Sequence, residues 1–424
     1  MHISDTSLEI QREPFARPFG FKGAAFHEKW NLVVRLTDAS GQTAVGIGGL
    51  AVLWSDADVF FAHTEVGGNV LQTALLEHAL QLVKERPFKD PPEMLHHLLP
   101  QVHEYGRTIT RNPDLHLTFC LIALVALDNA AWLLQAKQQS ISTFDDLIPT
   151  AYRAYLTHRQ KHIATIPAVG YTLPAEDLRA ILDDGAYVLK IKIGHPGAEE
   201  DMVQADMDRL DEIHRIAGNL ESPMTDSGHI CYYLDANGRY GRKDSMARLL
   251  DHAERRGMLD RIILIEEPFH YPETTDVHGL PALFAADESL HTVGDVATRI
   301  EQGYGAATIK PAGKTLSMSF ETIQAATDAG AACIVADNTC VPVLVEWNKN
   351  VAARLPGFPG IKGGMMESNG PENYGDWLRL LSEFPIPNAS WLSPQDGAYV
   401  LDETYYALSG GIFQEPSVYT NLLR

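Results

Sequence analysis

A modified TIM-type β/α barrel with an α+β amino-terminal capping domain is the architecture this sequence predicts, on three observations. The 424 residues exceed one ordinary domain and suit a barrel of roughly 250 residues plus a second domain. From about residue 163 to residue 367, short apolar runs alternate with amphipathic segments, the pattern of repeated strand–helix units. Ahead of that point β-rich runs come first and long helical periodicities follow, which is the texture of a separate α+β unit.

Taken in order, residues 31–51 read NLVVRLTDASGQTAVGIGGLA, two β-rich runs around a turn-forming DASGQ, which predicts a hairpin. Helical spacing of apolar residues follows at about 73–86 and again at about 115–138. The second of these is apolar almost all round and is expected to be buried between layers. These elements make up a capping domain over residues 1–150. Strands of the barrel, residues 151–373, are expected near 164–170, 188–193, 231–235, 262–266, 283–287, 307–310, 332–336 and 361–365, each followed by a mostly helical connection. The connection after the fourth strand, HYPETTDVHGLP, holds two prolines and a glycine and is a poor helix. Residues 374–424 either complete the barrel or return to the capping domain.

The formal net charge of -21, from 34 Lys+Arg against 55 Asp+Glu, disfavours nucleic acid and anionic membranes as partners. It also means that an anionic substrate needs a local positive site. The 4 cysteines include no Cys-x-x-Cys arrangement, and a disulfide framework or zinc knuckle is not expected. The amino terminus lacks a basic end followed by an apolar stretch, and no uninterrupted apolar run is long enough to span a membrane. A cytoplasmic location fits these features.

In a β/α barrel the chemistry sits at the carboxy-terminal ends of the strands. There the sequence places Lys190-Ile191-Lys192 on strand two, Asp235-Ala236-Asn237 on strand three, and Glu266-Glu267-Pro268 on strand four. Asp287-Glu288-Ser289 follows on strand five and Lys310-Pro311 on strand six. Three carboxylates that converge in a water-poor pocket need a cation, and all-oxygen ligation favours a hard ion. Asp235, Glu266 and Asp287 are therefore the expected ligands of one Mg2+ per subunit. A nearby divalent ion and a second ammonium would both lower a lysine's pKa, which makes Lys192 and Lys310 candidate bases. Strand periodicity puts Lys190 on the same face as Lys192, as the cationic neighbour.

KIKIG, LDANGRY, LIEEPF, AADES and TIKPAG together resemble the enolase superfamily, in its mandelate racemase and muconate lactonizing enzyme branch. The resemblance implies that Lys192 and Lys310 face opposite sides of a small carboxylate substrate. It also implies that Asn237, Glu267 and Glu288 orient the ligands and lysines around the metal. Two lysines, without a histidine on strand seven, are nearer the muconate lactonizing type. Lys314-Thr315-Leu316 stands where that type usually has Gly-Gly, and MMESNGPE on strand eight lacks the Asp-x-Asp of dipeptide epimerases. Glu367 could donate a hydrogen bond to the developing enolate, as a similarly placed glutamate does in mandelate racemase. Racemisation or epimerisation is the first expectation, with dehydration or cycloisomerisation as alternatives and a non-catalytic metal-binding barrel behind them. Family members form closed oligomers, so a homo-oligomer is expected. Substrate choice would fall to cap segments 14–30 and 50–61, with Phe15, Phe19, Phe21, Phe26 and Trp54 as an apolar lid.

Overall fold

The computed structural model describes residues 1–424, the side chain of Phe21 excepted. Three antiparallel strands open the chain: β1 (Ile3–Phe21), β2 (Ala24–Asp38) and β3 (Thr43–Gly49), in the order β1-β2-β3. The predicted hairpin is the β2–β3 pair, but β1 was not read from the sequence. Its few apolar residues, such as Ile3, Leu8 and Ile10, are separated by polar ones, and Pro14 and Pro18 interrupt the run, so its apolar signal is diluted. Helices Ala57–Leu82, Pro91–Thr110 and Leu117–Gln139 follow, of which the second was also not anticipated.

Against the expectation that no apolar run reaches membrane-spanning length, helix Leu117–Gln139 is long and apolar enough to cross a membrane, with Asp128 interrupting its run. It is buried between the cap sheet and the barrel, where Asp128 accepts from Leu316 N and Ser317 N. Gly46 and Gly48 let it approach β3 closely: a Cβ on Gly46 would lie 2.2 Å from the Ala130 backbone nitrogen, and one on Gly48 2.5 Å from that of Ala126. Any side chain at either position would push helix and sheet apart.

The barrel strands are β4 (His162–Thr165), β5 (Ala168–Val169), β6 (Val188–Lys192), β7 (Cys231–Asp235), β8 (Ile262–Glu266), β9 (Phe284–Ala286), β10 (Ala306–Ile309), β11 (Ala332–Val335) and β12 (Gly364–Met366). Neighbours from β5 to β12 pair in parallel and in chain order, and β12 pairs with β4. The expected first strand is thus two pieces, β4 and β5, parted at Ile166-Pro167 because proline has no N–H to give to a ladder. The Pro167 carbonyl still accepts from Lys190 N at 3.0 Å. No helix lies between β8 and β9, in line with the proline-rich connection.

The last segment touches both units. Strand β13 (Ala398–Val400) pairs antiparallel with β4, while Arg35 of β2 donates to the Leu423 carbonyl and Arg379 pairs with Glu13 of β1 at 2.6 Å.

Candidate active site

Register builds the centre of the site. Lys192 of β6 lies opposite Asp235 of β7, and Asp235 lies opposite Glu266 of β8, so three charged residues share one level. Asp287 follows β9 directly and Lys310 follows β10 directly. Because side chains two apart on a strand share a face, Lys190 stands below Lys192. Along the sheet, two lysine-bearing strands therefore bracket three carboxylate-bearing ones.

The side chains meet. Lys190 Nζ lies 2.7 Å from Glu266 Oε2, 3.0 Å from Asp235 Oδ2 and 3.2 Å from Glu367 Oε2. Lys192 Nζ donates to Asp235 Oδ2 at 2.6 Å and to Asn237 Oδ1 at 2.9 Å. Across the site Lys310 Nζ lies 2.6 Å from Asp287 Oδ2. Lys314, which the sequence marked only as a departure from the family loop, is buried and donates to the Asp287 carbonyl at 2.6 Å and to Oδ1 at 3.4 Å. Four lysines thus face Asp235, Glu266, Asp287 and Glu367.

Burial opposes these charges; the opposite partners outweigh it for Lys190, Lys310, Asp235 and Asp287 but not for Glu266 and Lys314. Lys190 and Lys310 are raised above the ordinary lysine range by the acids around them. Asp235 is held well below the carboxylate range by Lys190 and Lys192, and Asp287 by Lys310 and Lys314. Glu266 goes the other way, raised by burial and by the charge of Asp235. The acids that would hold a cation also hold the Lys310 proton.

Around this centre, Glu267 accepts from the Asp287 backbone N–H at 2.7 Å and from Ser289 Oγ at 3.0 Å. Burial and the charge of Glu288 push its carboxyl up to about 7. Asn237 Nδ2 donates to Glu288 Oε1 at 3.1 Å. Glu367 accepts from Lys190, from Asp337 N and, through its other oxygen, from Asn369 Nδ2. Non-glycine residues with positive φ follow four of the strands: Asn237, Glu267, Thr315 and Thr339. The β-branched pair is strained in that region, and such outliers cluster at functional sites.

The cap covers the strand ends. Phe19, Phe26, Ala51 and Trp54 close a cavity of about 40 Å³ whose other walls include Asn338, Thr339 and Asn369, room for only a few waters. Segment 14–30 is not a loop but the far half of the β1–β2 hairpin. Phe15 packs on Phe26 and Tyr374, and Phe21 lies outside the described side chains. Trp54 does more than fill space. Its Nε1 lies 3.3 Å from Asp287 Oδ2, and its ring sits 4.3 Å from Lys310 Nζ, a cation–π distance.

Lys29 of β2 was missed altogether. Fully buried, it donates to the Asn338 carbonyl, and burial lowers its pKa to about 8. Nothing in a strand sequence marks a lysine as inward-facing when its partner comes from another domain. His291 lies away from the cavity wall, with Nδ1 2.5 Å from Thr118 Oγ1.

The donor set suits a hard divalent ion. Glu266 Oε2 accepts no hydrogen bond although buried, since its contact with Lys190 lacks hydrogen-bond geometry. Among the described residues no three acidic, histidine or cysteine side chains form a ready cage, because lysine ammoniums stand between the carboxylates. Asp235, Glu266 and Asp287 are the residues that could close on an ion.

No family model matches the sequence, and no curated protein matches it. Solved structures do match. A dipeptide epimerase from Enterococcus faecalis, complexed with Mg and the dipeptide L-Leu-L-Tyr, superposes with a TM-score of 0.62 at 16% identity, covering 88% of this chain and 92% of its own. A mandelate racemase/muconate lactonizing protein from Herpetosiphon aurantiacus gives 0.64 at 16%, covering 95% and 96%. An L-talarate dehydratase from Polaromonas, complexed with Mg and L-glucarate, gives 0.63 at 16%, covering 95% and 92%. A further match is described as an unknown member of the enolase superfamily. The fold is that of the enolase superfamily. Coverage of both chains is nearly complete, so the superfamily fold here includes the cap as well as the barrel.

Proposed function

We propose that this protein is a magnesium-dependent member of the enolase superfamily that removes the proton α to a substrate carboxylate, with racemisation or epimerisation as its reaction. One observation carries the reading: Lys192 and Lys310 stand at the two ends of an arc of strand-end carboxylates, Asp235, Glu266 and Asp287, beside a pocket between cap and barrel. A base at each end allows one lysine to take the proton and the other to return it on the opposite face. Pairing a lysine base with magnesium is the general device of enolase-superfamily sites.

Asp235, Glu266 and Asp287 would hold the ion. Magnesium bound there would neutralise the substrate carboxylate and the charge that develops on deprotonation. The chain's own groups do the rest. Lys192 Nζ, aimed by Asn237 and Asp235, accepts or returns a proton on one side, and Lys310 Nζ does so beneath Trp54 on the other. Lys190, anchored by Glu367, supplies positive charge between them. Phe19, Phe26 and Trp54 exclude water and suit a substrate whose distal part is apolar or uncharged.

Dehydration is the second reading. It is favoured by the talarate dehydratase among the structural matches.

The test is proton NMR of the protein with Mg2+ in deuterium oxide, with N-acyl amino acids, dipeptides and acid sugars presented in turn. Loss of an α-proton signal with the substrate otherwise intact supports racemisation or epimerisation, and appearance of a 2-keto acid supports dehydration. If no acid exchanges, and Mg2+ titrated by calorimetry binds Asp235→Asn as tightly as the wild type, the reading fails.

A further inference from the structure

The tip of the β1–β2 hairpin is joined to Lys192 by an unbroken run of polar contacts. Lys22 Nζ lies 3.2 Å from Glu288 Oε1. That same oxygen accepts from Asn237 Nδ2 at 3.1 Å, and Asn237 Oδ1 accepts from Lys192 Nζ at 2.9 Å. An amide so placed has one workable orientation. Turned over, it would set its NH2 against an ammonium and its oxygen against a carboxylate. Whatever fixes Glu288 therefore fixes Asn237, and with it one of the two contacts that hold Lys192.

Glu288 needs such fixing. Its Oε2 is buried without a hydrogen-bond partner, and it stands close enough to Glu267 to raise that carboxyl. Lys22 supplies the opposing charge from the cap. Its own position is set locally: Lys22 and Gly23 have φ of 50° and 77°, the positive values that a tight two-residue hairpin turn requires and that glycine accommodates best. The same tip carries Phe19 and Phe26, packed 5.3 Å apart, into the cavity wall.

We infer that Lys22 is a positioning residue: seated on Glu288, it orients Asn237 and thereby Lys192, so that closing the hairpin tip over the cavity also sets one of the two bases. This rests on the role proposed for Lys192. It goes further by making the cap a determinant of that base in particular, and not only a cover.

Acetylation by N-hydroxysuccinimidyl acetate, quantified residue by residue by mass spectrometry, reads the coupling without any substrate. In Lys22→Met, Lys192 should label several-fold faster while Lys310 keeps its wild-type rate, and Lys22→Arg should restore the wild-type pattern. Glu288→Gln should reproduce the Lys22→Met effect, and the double variant should label no faster than either single one, as expected for groups in one chain of contacts. Equal acceleration of Lys192 and Lys310 would show the tip to be a simple lid, and an unchanged Lys192 rate would break the chain; either overturns the inference. Since labelling needs no turnover, failure to find an exchanging acid leaves it readable. Unchanged labelling beside intact α-proton exchange would overturn this inference alone.

Discussion

Two regions of the protein bury charge to the same depth and treat it in opposite ways. At the barrel mouth Asp235 and Asp287 are each met by two ammoniums, Lys190 is met by three carboxylates, and these groups are held ionised. Behind β11, on helix Pro342–Ala352, Glu346 and Lys349 form a single pair at 2.5 Å under Tyr399 and Trp391. There burial outweighs one partner: Glu346 is pushed up to about 7 and Lys349 is pushed down, both towards neutrality. Desolvation is common to the two, so the balance of opposite and like charges around each group decides the outcome; Glu266, beside Asp235 and Asp287, is raised like Glu346. Buried charge alone does not mark a reactive site. At the mouth the charges alternate beside a cavity, and the proposed chemistry rests on that arrangement.

The comparison can be broken in several ways. The largest effect expected is at the mouth: Lys192→Ala and Lys310→Ala should each slow α-proton exchange of a responsive acid by about 10²–10⁴-fold per folded molecule. Loss of stability in place of rate would make the mouth a structural cluster like the other. Next, Glu346→Ala should cost about 3–5 kcal/mol, because it leaves Lys349 buried without its partner. Exchange per folded molecule should stay at the wild-type rate, and a drop there would join the two regions functionally.

A smaller effect concerns the seam between cap and barrel, where burial, Lys314 and His116 lower the pKa of His291 to about 4. A histidine depressed in the folded state adds stability above its unfolded pKa near 6.5 and loses it as pH falls towards 4. The wild type should therefore lose about 3 kcal/mol more than His291→Gln between pH 7 and pH 4, compared by urea unfolding at each pH. Equal losses would mean that His291 is already solvated. Smallest of all, Glu346→Leu combined with Lys349→Met should lie within about 1 kcal/mol of the wild type or above it. A double variant as unstable as Glu346→Ala would show that the pair stabilises beyond its desolvation cost.

Much of this was legible in the sequence, for a physical reason. From the second barrel strand to the sixth, each short run ends in ionisable residues, so strand position and chemistry are marked together. Asp235, Glu266, Asp287, Lys190, Lys192 and Lys310 all stand where that pattern puts them. What escaped depends on contacts between the two units. Lys29 reads as a polar residue on a strand and becomes a buried donor only because the Asn338 carbonyl meets it from the barrel. Lys314 reads as a loop substitution, and its contact with Asp287 comes only with the turn at Thr315. Trp54 was placed in the lid, yet its N–H on Asp287 needs the geometry of both domains.

The strand β13, laid antiparallel on β4, has a consequence for synthesis. When residues up to about 373 have left the ribosome, every parallel strand from β4 to β12 is already available. The Thr165 N–H nevertheless waits for the carbonyl of Gly397, more than two hundred residues later in the chain. Closure of the barrel is therefore expected late, after most of the polypeptide has been made, and the unfinished edge at β4 is the place where a nascent chain is most open to pairing with a neighbour.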